Sequence, residues 1–464
     1  METVDFLIIG AGVCGLGAAT RINQISDKTW LMVEKENGAG GLSRTLEEEG
    51  FRADVGGHVS GSRCKYFHDL VQAAVGPYEG ENWFNLKRIS HVIMEDASEI
   101  RKVPYPFQKN LKFLSEESMK ECLEGLINRD QRVPPKHFKE WIMYNFGKGI
   151  ADKFMLNYNF KVWAHPLEMM AHDWVSDRVA KIDAYEAVKN VLDDEENSCW
   201  GPNNMFNYPL EGTGDIYNKI AGMLPSENQL YNTTVDQIDK ENKIATLSNG
   251  VQVKYSFLIS TMPLEILMKK IDMEPDMTKL RHSSTNVILF GFEGKSPNGN
   301  SSWMYFPDDD VPFYRSTVFS NYSPKNTPDP DKYYSLMLEV SESEFKPVNQ
   351  ETVVEESLDA CKKMGLVSEG SKLVKTMKFR AEHGYPTPSL GTRKYVRETR
   401  KELKKLGIYS SGRFGAYMYS ISNMDGSLMQ GLQSVDNALY GATESWIETP
   451  EFEVSRHNTD MTFP

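Results

Sequence analysis

A glycine-rich turn between an apolar strand and a helix most constrains how this chain can fold. Residues 6–9 are apolar and favour a β-strand, and Gly10-x-Gly12-x-x-Gly15 follows at the start of a helical segment. Glu34 lies nineteen residues beyond Gly15, at the end of a second apolar stretch. Glycines at these positions let the backbone approach a pyrophosphate, while a carboxylate there can accept ribose hydroxyl groups. The combination favours a dinucleotide-binding β-α-β unit over a plain glycine turn.

Two more glycine-containing segments follow the β-α-β unit closely. They read "GAGGLSRT" at 38–45 and "FRADVGGHV" at 51–59. This succession resembles the flavoprotein superfamily of amine oxidases and protoporphyrinogen oxidases, in which the second glycine pair packs near FAD. The resemblance favours FAD over NAD. The cofactor-binding residues predicted from this half of the chain are Gly10, Gly12, Val13, Cys14, Gly15, Glu34, Lys35, Gly41, Leu42, Ser43, Gly56, Gly57, His58 and Val235.

Composition narrows the partners. A net charge of -13 argues against nucleic acid or an anionic membrane as the main partner, because both attract basic surfaces. The five cysteines form no C-x-x-C pair, and the N-terminus has no cationic segment before its short apolar run. We therefore expect reduced thiols, a cytosolic location and no metal site.

The chain divides into three predicted parts. A Rossmann-like FAD-binding domain takes residues 1–84, 204–262 and 384–464, and a helical substrate-binding insertion takes 109–203. Residues 85–108 and 263–383 form a mainly antiparallel β-sheet domain, since "NVILFGFEG" and "KYYSLMLEVSES" are strongly β-favouring. The predicted fold class is α/β. A long final helix is expected over "GSLMQGLQSVDNALYGATESWIE".

An ordered series of motifs narrows the resemblance. The chain looks like the UDP-galactopyranose mutases of fungi, protozoa and nematodes, with matches from about residue 5 to residue 440. The segments that carry it are "RISHV", "VPYPFQKN", "NYNFKVWAHP", "WVSDRVA", "WGPNNMF", "PFYRSTVFSNYSP", "LEVSESEFKPVNQET", "HGYPTP" and "SGRFGAYMYSISNMDGS".

The resemblance implies an isomerase that interconverts UDP-galactopyranose and UDP-galactofuranose without net redox change. In the family, N5 of reduced FAD attacks the sugar anomeric carbon, UDP departs, and a flavin iminium allows the ring to reopen and contract. NADPH supplies the electrons, and Arg88 is a candidate contact to its phosphate. A UDP-arabinopyranose mutase, an FAD-dependent oxidase or desaturase, and a non-catalytic nucleotide-sugar binding protein stay open as alternatives.

The resemblance also implies the substrate contacts. Arg178 and Arg315 would clamp the diphosphate, and His58 would lie beside the flavin without acting as a general base. Tyr314 and Tyr417 are interpreted as packing residues. The substrate-binding residues implied are Tyr305, Tyr322, Tyr385 and Tyr419 as diphosphate donors, Tyr105, Phe107, Gln108, Phe154 and Asn159 around uracil, Trp163 near the sugar, and Asn203 on a closing loop.

The C-terminal motif implies further FAD contacts. Arg413, Asn423 and Ser427 would face FAD, and Met424 stands where the family usually has glutamine. A shortened segment after "SNYSP" and a short C-terminal extension depart from the family too, so no tetramer is carried over and a homo-oligomer stays open.

Spacing makes one geometric demand. Arg315 and Tyr322 are seven residues apart, so on a regular strand they would face opposite sides. A bend, bulge or loop after Phe319 is required if both contact one anionic group.

Overall fold

The computed structural model describes residues 1–62, 64–175, 178–193, 196, 204–448, 461 and 463. The strands are β1 Glu2–Ile9, β2 Trp30–Val33, β3 Thr45–Glu48, β4 Phe51–Asp54, β5 Trp83–Lys87, β6 Ser90–Asp96, β7 Glu99–Pro104, β8 Met205–Pro209, β9 Gln229–Leu230, β10 Val235–Asp239, β11 Ile244–Leu247, β12 Gln252–Ser260, β13 His282–Glu293, β14 Trp303–Tyr305, β15 Arg315–Val318, β16 Tyr333–Glu342, β17 Lys372–Pro386 and β18 Ile408–Ser410. The helices are α1 Val13–Ile25, α2 Lys65–Val75, α3 Glu116–Ile127, α4 Phe138–Ile150, α5 Leu156–Trp163, α6 Ala184–Leu192, α7 Thr213–Gly222, α8 Leu264–Lys270, α9 Val353–Lys363, α10 Thr392–Lys405, α11 Met424–Tyr440 and α12 Ser445–Glu448.

The first large sheet is the dinucleotide-binding type that the sequence predicts. β1 lies between β2 and β12 and pairs with both in parallel, while β18 and β9 extend the parallel arrangement. β10 and β11 add an antiparallel edge. Because helices cover both faces of such a sheet, β1 is apolar along its buried length rather than alternating.

The second large sheet is mainly antiparallel, in the order β17-β13-β16-β15-β14-β6-β7. Only the β14–β6 pair is parallel among its pairings. β13 and β16 are the two stretches that composition predicted as strands, and they pair along ten residue positions. The α/β class with a separate, mainly antiparallel sheet is therefore confirmed.

Helices α3 to α6 form the helical insertion, which packs on β6 and β7. The buried core of this region is aromatic and aliphatic, and includes Phe107, Phe154 and Trp163. A π-helical turn at Ala151–Met155 joins α4 to α5. The three-part domain division itself stays a prediction.

Two glycines allow α1 and α11 to pack closely. A Cβ at Gly17 would lie 2.4 Å from the Leu428 carbonyl oxygen, and one at Gly431 would lie 2.0 Å from that of Cys14. The long final helix predicted to Glu448 is wrong in one respect. It ends at Tyr440, where Gly441 adopts a left-handed conformation, and a short helix α12 follows.

The bend that the Arg315–Tyr322 spacing demands is present. β15 ends at Val318, and a 3-10 turn over Phe319–Asn321 follows before Tyr322.

Cys14, Cys64, Cys122 and Cys361 are buried and form no disulfide bond within the described residues, whereas Cys199 lies outside them. None of the described helices has the length and apolar character needed to span a membrane.

Candidate functional site

Two glycine loops form the floor of the predicted dinucleotide site. Gly10 has a φ of 101°, and a Cβ at Gly15 would lie 1.8 Å from its carbonyl oxygen. Gly40 donates its N–H to the Ala11 carbonyl at 2.9 Å, which brings the second loop against the first. A Cβ at Gly12, by contrast, has no heavy atom nearer than 3.7 Å. The structure thus leaves room above Gly12, at the N-terminus of α1, where a phosphate would lie.

Glu34 follows β2 and is buried beside this floor. Its carboxylate accepts the Ala11 N–H at 2.7 Å and the Glu36 N–H at 2.9 Å. Those bonds orient the carboxylate at the end of β2 and leave each oxygen with a second lone pair for a ribose hydroxyl group. This oriented carboxylate therefore fits the ribose of a dinucleotide.

The remaining predicted cofactor residues lie around these loops, but two of them differ from the others in exposure or position. Lys35 is exposed, and Val235 is buried at the start of β10. Val13, Cys14 and Gly15 form the first turn of α1, Gly41, Leu42 and Ser43 form a 3-10 turn, Gly56, Gly57 and His58 follow β4, and Asn423, Met424 and Ser427 begin α11.

The N-terminus of α11 is tied to the loop that follows β4. Asn423 is the N-cap residue but makes no side-chain capping bond. Asp425 accepts a hydrogen bond from the Ser62 hydroxyl at 2.6 Å. The loop that carries Arg413 is held in turn, because Gln430 accepts the Gly412 N–H at 2.9 Å. Residues distant in sequence therefore form one connected site.

Three arginines converge next to the loop Gly56-Gly57-His58, which the sequence predicts to lie beside the flavin. Arg178 contacts the Ser420 carbonyl oxygen, and its guanidinium lies 5.7 Å from the Tyr419 ring centroid. Arg413 lies 5.8 Å from the same ring and 5.6 Å from that of Tyr385. Burial lowers the pKa of Arg413, and the neighbouring charge of Arg178 acts in the same direction.

Arg315 is held by a carboxylate that sequence reasoning missed. Glu339, 1% exposed, accepts from Arg315 Nε at 2.9 Å and from its Nη2 at 2.7 Å. Glu339 also accepts from the Gly57 N–H at 2.9 Å and from the Tyr314 hydroxyl. Burial alone would raise the pKa of Glu339, but Arg315 and these donors hold it below its usual value.

This arrangement changes the interpretation of Tyr314, which is a hydrogen-bond donor to Glu339 rather than packing alone. Among the described contacts, Glu339 is the one carboxylate that pairs with any of the three guanidinium groups. Among the side chains that the structure describes, Arg178 and Arg413 thus have no carboxylate partner. A diphosphate carries the complementary charge.

Phenol and indole rings line the crevice beside the arginines. Tyr105 lies 4.9 Å from Tyr305 between ring centroids, and Tyr158 lies 5.3 Å from Tyr305. Trp163 lies 4.7 Å from Tyr419 and 6.1 Å from Tyr385. Burial raises the pKa of four of these phenols, so their hydroxyl groups stay protonated donors at neutral pH; they are Tyr105, Tyr158, Tyr305 and Tyr385.

Tyr322 differs from the other predicted diphosphate donors in being only 1% exposed. Its ring packs against Phe206 and Tyr208. Burial raises its pKa, while the nearby charge of Arg315 acts in the opposite direction. Tyr322 therefore packs among aromatic rings, and its electrostatic environment includes Arg315 despite their seven-residue separation.

The predicted uracil residues form a stack at the far end of the crevice. Phe107 and Phe154 stack at 4.9 Å, and Tyr158 continues the stack beyond Phe154, also at 4.9 Å. Gln108 donates to the Ala180 carbonyl, but its Oε1 is buried with no partner among the described residues. Asn159 uses its amide within α5, donating to the Met155 carbonyl at 2.7 Å.

His58 follows Gly57, beside which the Arg315 guanidinium lies. Its Nδ1 is 2.9 Å from the Gly56 carbonyl oxygen, to which it donates. Burial lowers the pKa of His58 to about 4, with the charges of Arg413 and Arg315 acting in the same direction. The imidazole is thus neutral at pH 7 and leaves Nε2 without a proton.

Arg88 is buried between β5 and β6 and is bound to Asn204. Its backbone N–H donates to the Asn204 carbonyl at 2.8 Å, and its Nη2 donates to the side-chain oxygen at 3.2 Å. Asn203, predicted to reach the nucleotide, lies outside the described residues.

Tyr158 and Glu339 are the two members of this site that sequence reasoning missed. Tyr158 stands inside the quoted motif "NYNFKVWAHP", one helical position before Asn159. Glu339 stands inside "LEVSESEFKPVNQET" on a strand next to β15. A cross-strand pairing of Arg315 with Glu339 would have identified the carboxylate, because the two residues are register partners.

Comparison of the chain with known protein families first identifies its class. The family model described as flavin-containing amine oxidoreductase matches residues 13–439. The chain therefore belongs to this family and is an FAD-containing flavoprotein.

A solved structure then gives the particular family. The chain is 41% identical to a reduced UDP-galactopyranose mutase, with a TM-score of 0.92, over 97% of this chain and 99% of the other. The chain belongs with the UDP-galactopyranose mutases.

More distant similarities show the fold alone. A putative protoporphyrinogen oxidase from Exiguobacterium sp. 255-15 is 15% identical at a TM-score of 0.69, over 94% of this chain and 98% of the other. A putrescine oxidase bound to putrescine is 16% identical at a TM-score of 0.61, over 94% and 98%. The all-trans-retinol 13,14-reductase of Danio rerio is 37% identical over 60 residues, and the match spans 13% of this chain and 10% of that protein.

Proposed function

We propose that the protein is a flavin-dependent mutase that interconverts UDP-galactopyranose and UDP-galactofuranose. The observation that carries this proposal is the convergence of Arg178, Arg315 and Arg413 on one crevice, with Glu339 as their single described carboxylate partner. A leaving UDP group needs fixed positive charge, and a set of half-buried, oriented guanidinium groups provides it without reorganisation. The 41% identity to a UDP-galactopyranose mutase supports the same conclusion.

The cofactor's site is assigned to residues that fit it. The glycine loops at 10–12 and 40–41 would receive the pyrophosphate, and Glu34 would receive a ribose. Reduced FAD supplies, when bound, a nucleophilic nitrogen that can replace UDP on the anomeric carbon. The protein groups bind, orient and protect the reacting atoms.

The arginines and phenols act on the diphosphate. Arg315 is oriented by Glu339, so its remaining N–H groups can address a phosphate oxygen. The phenols of Tyr305, Tyr385 and Tyr419 add neutral donors that leave the charge balance unchanged. Together they stabilise UDP when it separates from the sugar and hold it for return.

The aromatic stack would hold uracil. Phe107, Phe154 and Tyr158 offer parallel faces, and the unpaired Oε1 of Gln108 is an acceptor for the N3–H group of the base. Trp163 closes the crevice on the sugar side and excludes water. His58, neutral at pH 7, can accept a hydrogen bond at Nε2 but does not supply positive charge.

NADPH is proposed as the reductant, and a contact between Arg88 and its phosphate belongs to this proposal. A stopped-flow record of flavin absorbance after mixing with NADPH would test it. We expect bleaching that slows in Arg88→Lys, because lysine lacks the guanidinium fork. Equal rates would remove Arg88 from this role. The oligomeric state and the cytosolic location stay predictions.

The function is tested by product analysis. The dithionite-reduced protein is incubated with UDP-galactofuranose, and nucleotide sugars are separated by HPLC. We expect UDP-galactopyranose from the reduced protein and none from the oxidised one. Absence of product with flavin bound and reduced would refute the proposal, and UDP-arabinopyranose in parallel tests whether a pentose is preferred.

A further inference from the structure

A cluster of two histidines and a glutamate lies next to the site described above but outside it. Glu265 lies in the first turn of α8, His282 begins β13, and His383 lies near the end of β17. Each side chain offers one potential metal-binding atom, a ring nitrogen or a carboxylate oxygen, and these three atoms all lie within 4.8 Å of one another. Within the described part of the chain, no other group of three such side chains has this geometry.

A bulge between two strands creates the cluster. Ser283 pairs with Tyr385 and Thr285 with Ala381, so β17 has extra residues between these pairs. A Cβ at Gly384 would lie 2.2 Å from the Thr285 hydroxyl oxygen, so the bulge requires glycine there. Bulges redirect a side chain from the regular alternation. Here His383 stacks on His282, with ring centroids 4.1 Å apart.

The carboxylate of the cluster is incompletely satisfied. Glu265 is 4% exposed, and its Oε1 lies 2.6 Å from His383 Nε2. Its Oε2 is buried and has no hydrogen-bond partner among the described residues. The Tyr417 hydroxyl lies near Glu265 but donates its hydrogen to the Leu280 carbonyl, so this buried oxygen stays available to a ligand.

We propose that Glu265, His282 and His383 bind a divalent transition-metal ion of the Zn²⁺ type. Two imidazoles with one carboxylate form a donor set that Zn²⁺ takes, with a fourth position for water. Zn²⁺ takes a neutral imidazole, so the hydrogen that His383 Nε2 shares with Glu265 moves to Nδ1 of a neutral ring, or leaves a charged one, and Nε2 is then free to bind the ion. The three donor atoms must draw together to roughly 3.3 Å apart, the spacing set by tetrahedral zinc.

The cluster is open to solvent on its histidine side, because both rings are only half-buried, while Glu265 closes the inner side. An ion can therefore enter from outside the protein. The Tyr417 hydroxyl lies 3.5 Å from His282 Nδ1 and donates to the Leu280 carbonyl at 2.7 Å, which positions that ring.

Metal binding there would stiffen the substrate crevice. Phe414 lies 5.1 Å from the His383 ring, and its carbonyl accepts the Leu264 N–H at 3.1 Å. Arg413 precedes Phe414, and Tyr385 lies two residues after His383. The ion would thus cross-link α8 to the two strands next to both crevice residues. It would act through position, not by contact with substrate.

The test measures metal content rather than catalysis. The flavin-loaded, untagged protein is dialysed against EDTA, incubated with ZnCl₂, and gel-filtered before elemental analysis. Glu265→Gln preserves shape and removes the anionic ligand, and His383→Ala removes a nitrogen ligand. His137→Ala, at the half-buried N-cap of α4, is the control for loss of a histidine elsewhere.

We expect about one zinc per chain in the parent and in His137→Ala, and a loss of affinity of about tenfold or more in the two cluster variants. Zinc should also raise the Tm of the parent but not that of Glu265→Gln. Unchanged flavin content in Glu265→Gln would show that this variant is folded. Zinc retention equal in parent and Glu265→Gln, or no stoichiometric zinc in the parent, would overturn the proposal.

Discussion

Removal of the Arg315 guanidinium should affect stability and catalysis by separate routes. Arg315→Ala leaves Glu339 buried without its cation, although Glu339 keeps the Gly57 and Tyr314 donors. Loss of one partner of a buried ion pair costs about 3–5 kcal/mol, and the two surviving donors favour the lower end of that range. For a chain of this length the unfolding entropy is about 1 kcal/mol per kelvin, so Tm should fall by about 3 °C.

Catalysis should fall much further. A preorganised charge that stabilises a leaving group is worth about 10²–10³ in turnover, because solvent in its place would have to reorganise as the charge develops. FAD content should be unchanged, since no described contact of Arg315 belongs to the glycine loops at 10–12 and 40–41.

The double variant Arg315→Ala/Glu339→Gln separates the two effects. It removes both charges, and the glutamine amide oxygen can accept the Gly57 N–H while its NH₂ group donates to the Tyr314 hydroxyl oxygen, since these two groups bond to different oxygens of Glu339. Its Tm should return to within about 1 °C of the parent, while turnover stays at the level of Arg315→Ala. Tm by differential scanning fluorimetry and turnover by HPLC decide the matter. Full turnover in Arg315→Ala, or a double variant as unstable as the single one, would refute this reasoning.

Three further predictions concern other parts of the structure. Gly12→Ala should fold normally, since the added Cβ meets no protein atom within 3.7 Å. It should nevertheless lose flavin, because the added methyl group occupies the predicted phosphate position. Gly222→Ala, whose added Cβ has no atom within 4 Å, is the control. Flavin absorbance per chain measures this, and equal occupancy would contradict it. Burial raises the pKa of Asp54 to about 6. The folded state therefore holds a proton that the unfolded chain releases, and stability should fall by up to about 3 kcal/mol as pH rises from about 4 to 6. Thermal unfolding across that range should show the slope in the parent and not in Asp54→Asn, and identical slopes would count against it. Tyr158→Ala should lower the free energy of unfolding by about 3 kcal/mol and weaken UDP binding measured by calorimetry, whereas Tyr158→Phe should keep both, because the ring rather than the hydroxyl supports the stack. Loss of binding in the phenylalanine variant would show that the hydroxyl matters instead.

Local signals in the sequence predicted much of the fold. The Gly10–Gly15 turn and Glu34 depend on a short-range pattern, so the β-α-β unit could be identified before the structure. The two long strands β13 and β16 were also readable from their β-branched and aromatic content. The end of the last long helix was not predicted. Its apolar pattern continues beyond Gly441, but that residue adopts a left-handed conformation and the helix ends before it.

The site was harder to predict, because its members meet only through tertiary structure. Arg315 was found through its motif, but Glu339 joins it across a pair of strands that sequence spacing does not reveal. The His282–His383 pair depends on a bulge, and no spacing in the sequence predicts that His383 turns toward Glu265. Such contacts need the register of the sheet as well as the identity of the residues.

The proposed reaction uses a reduced flavin but consumes no electrons. The direct measurement reduces the protein once with dithionite under anaerobic conditions, removes excess reductant, and follows UDP-galactofuranose conversion together with flavin absorbance. We expect many equivalents of UDP-galactopyranose per flavin while the flavin stays reduced. Conversion that stops at one product per flavin, with reoxidation in step, would show a redox enzyme and contradict this expectation.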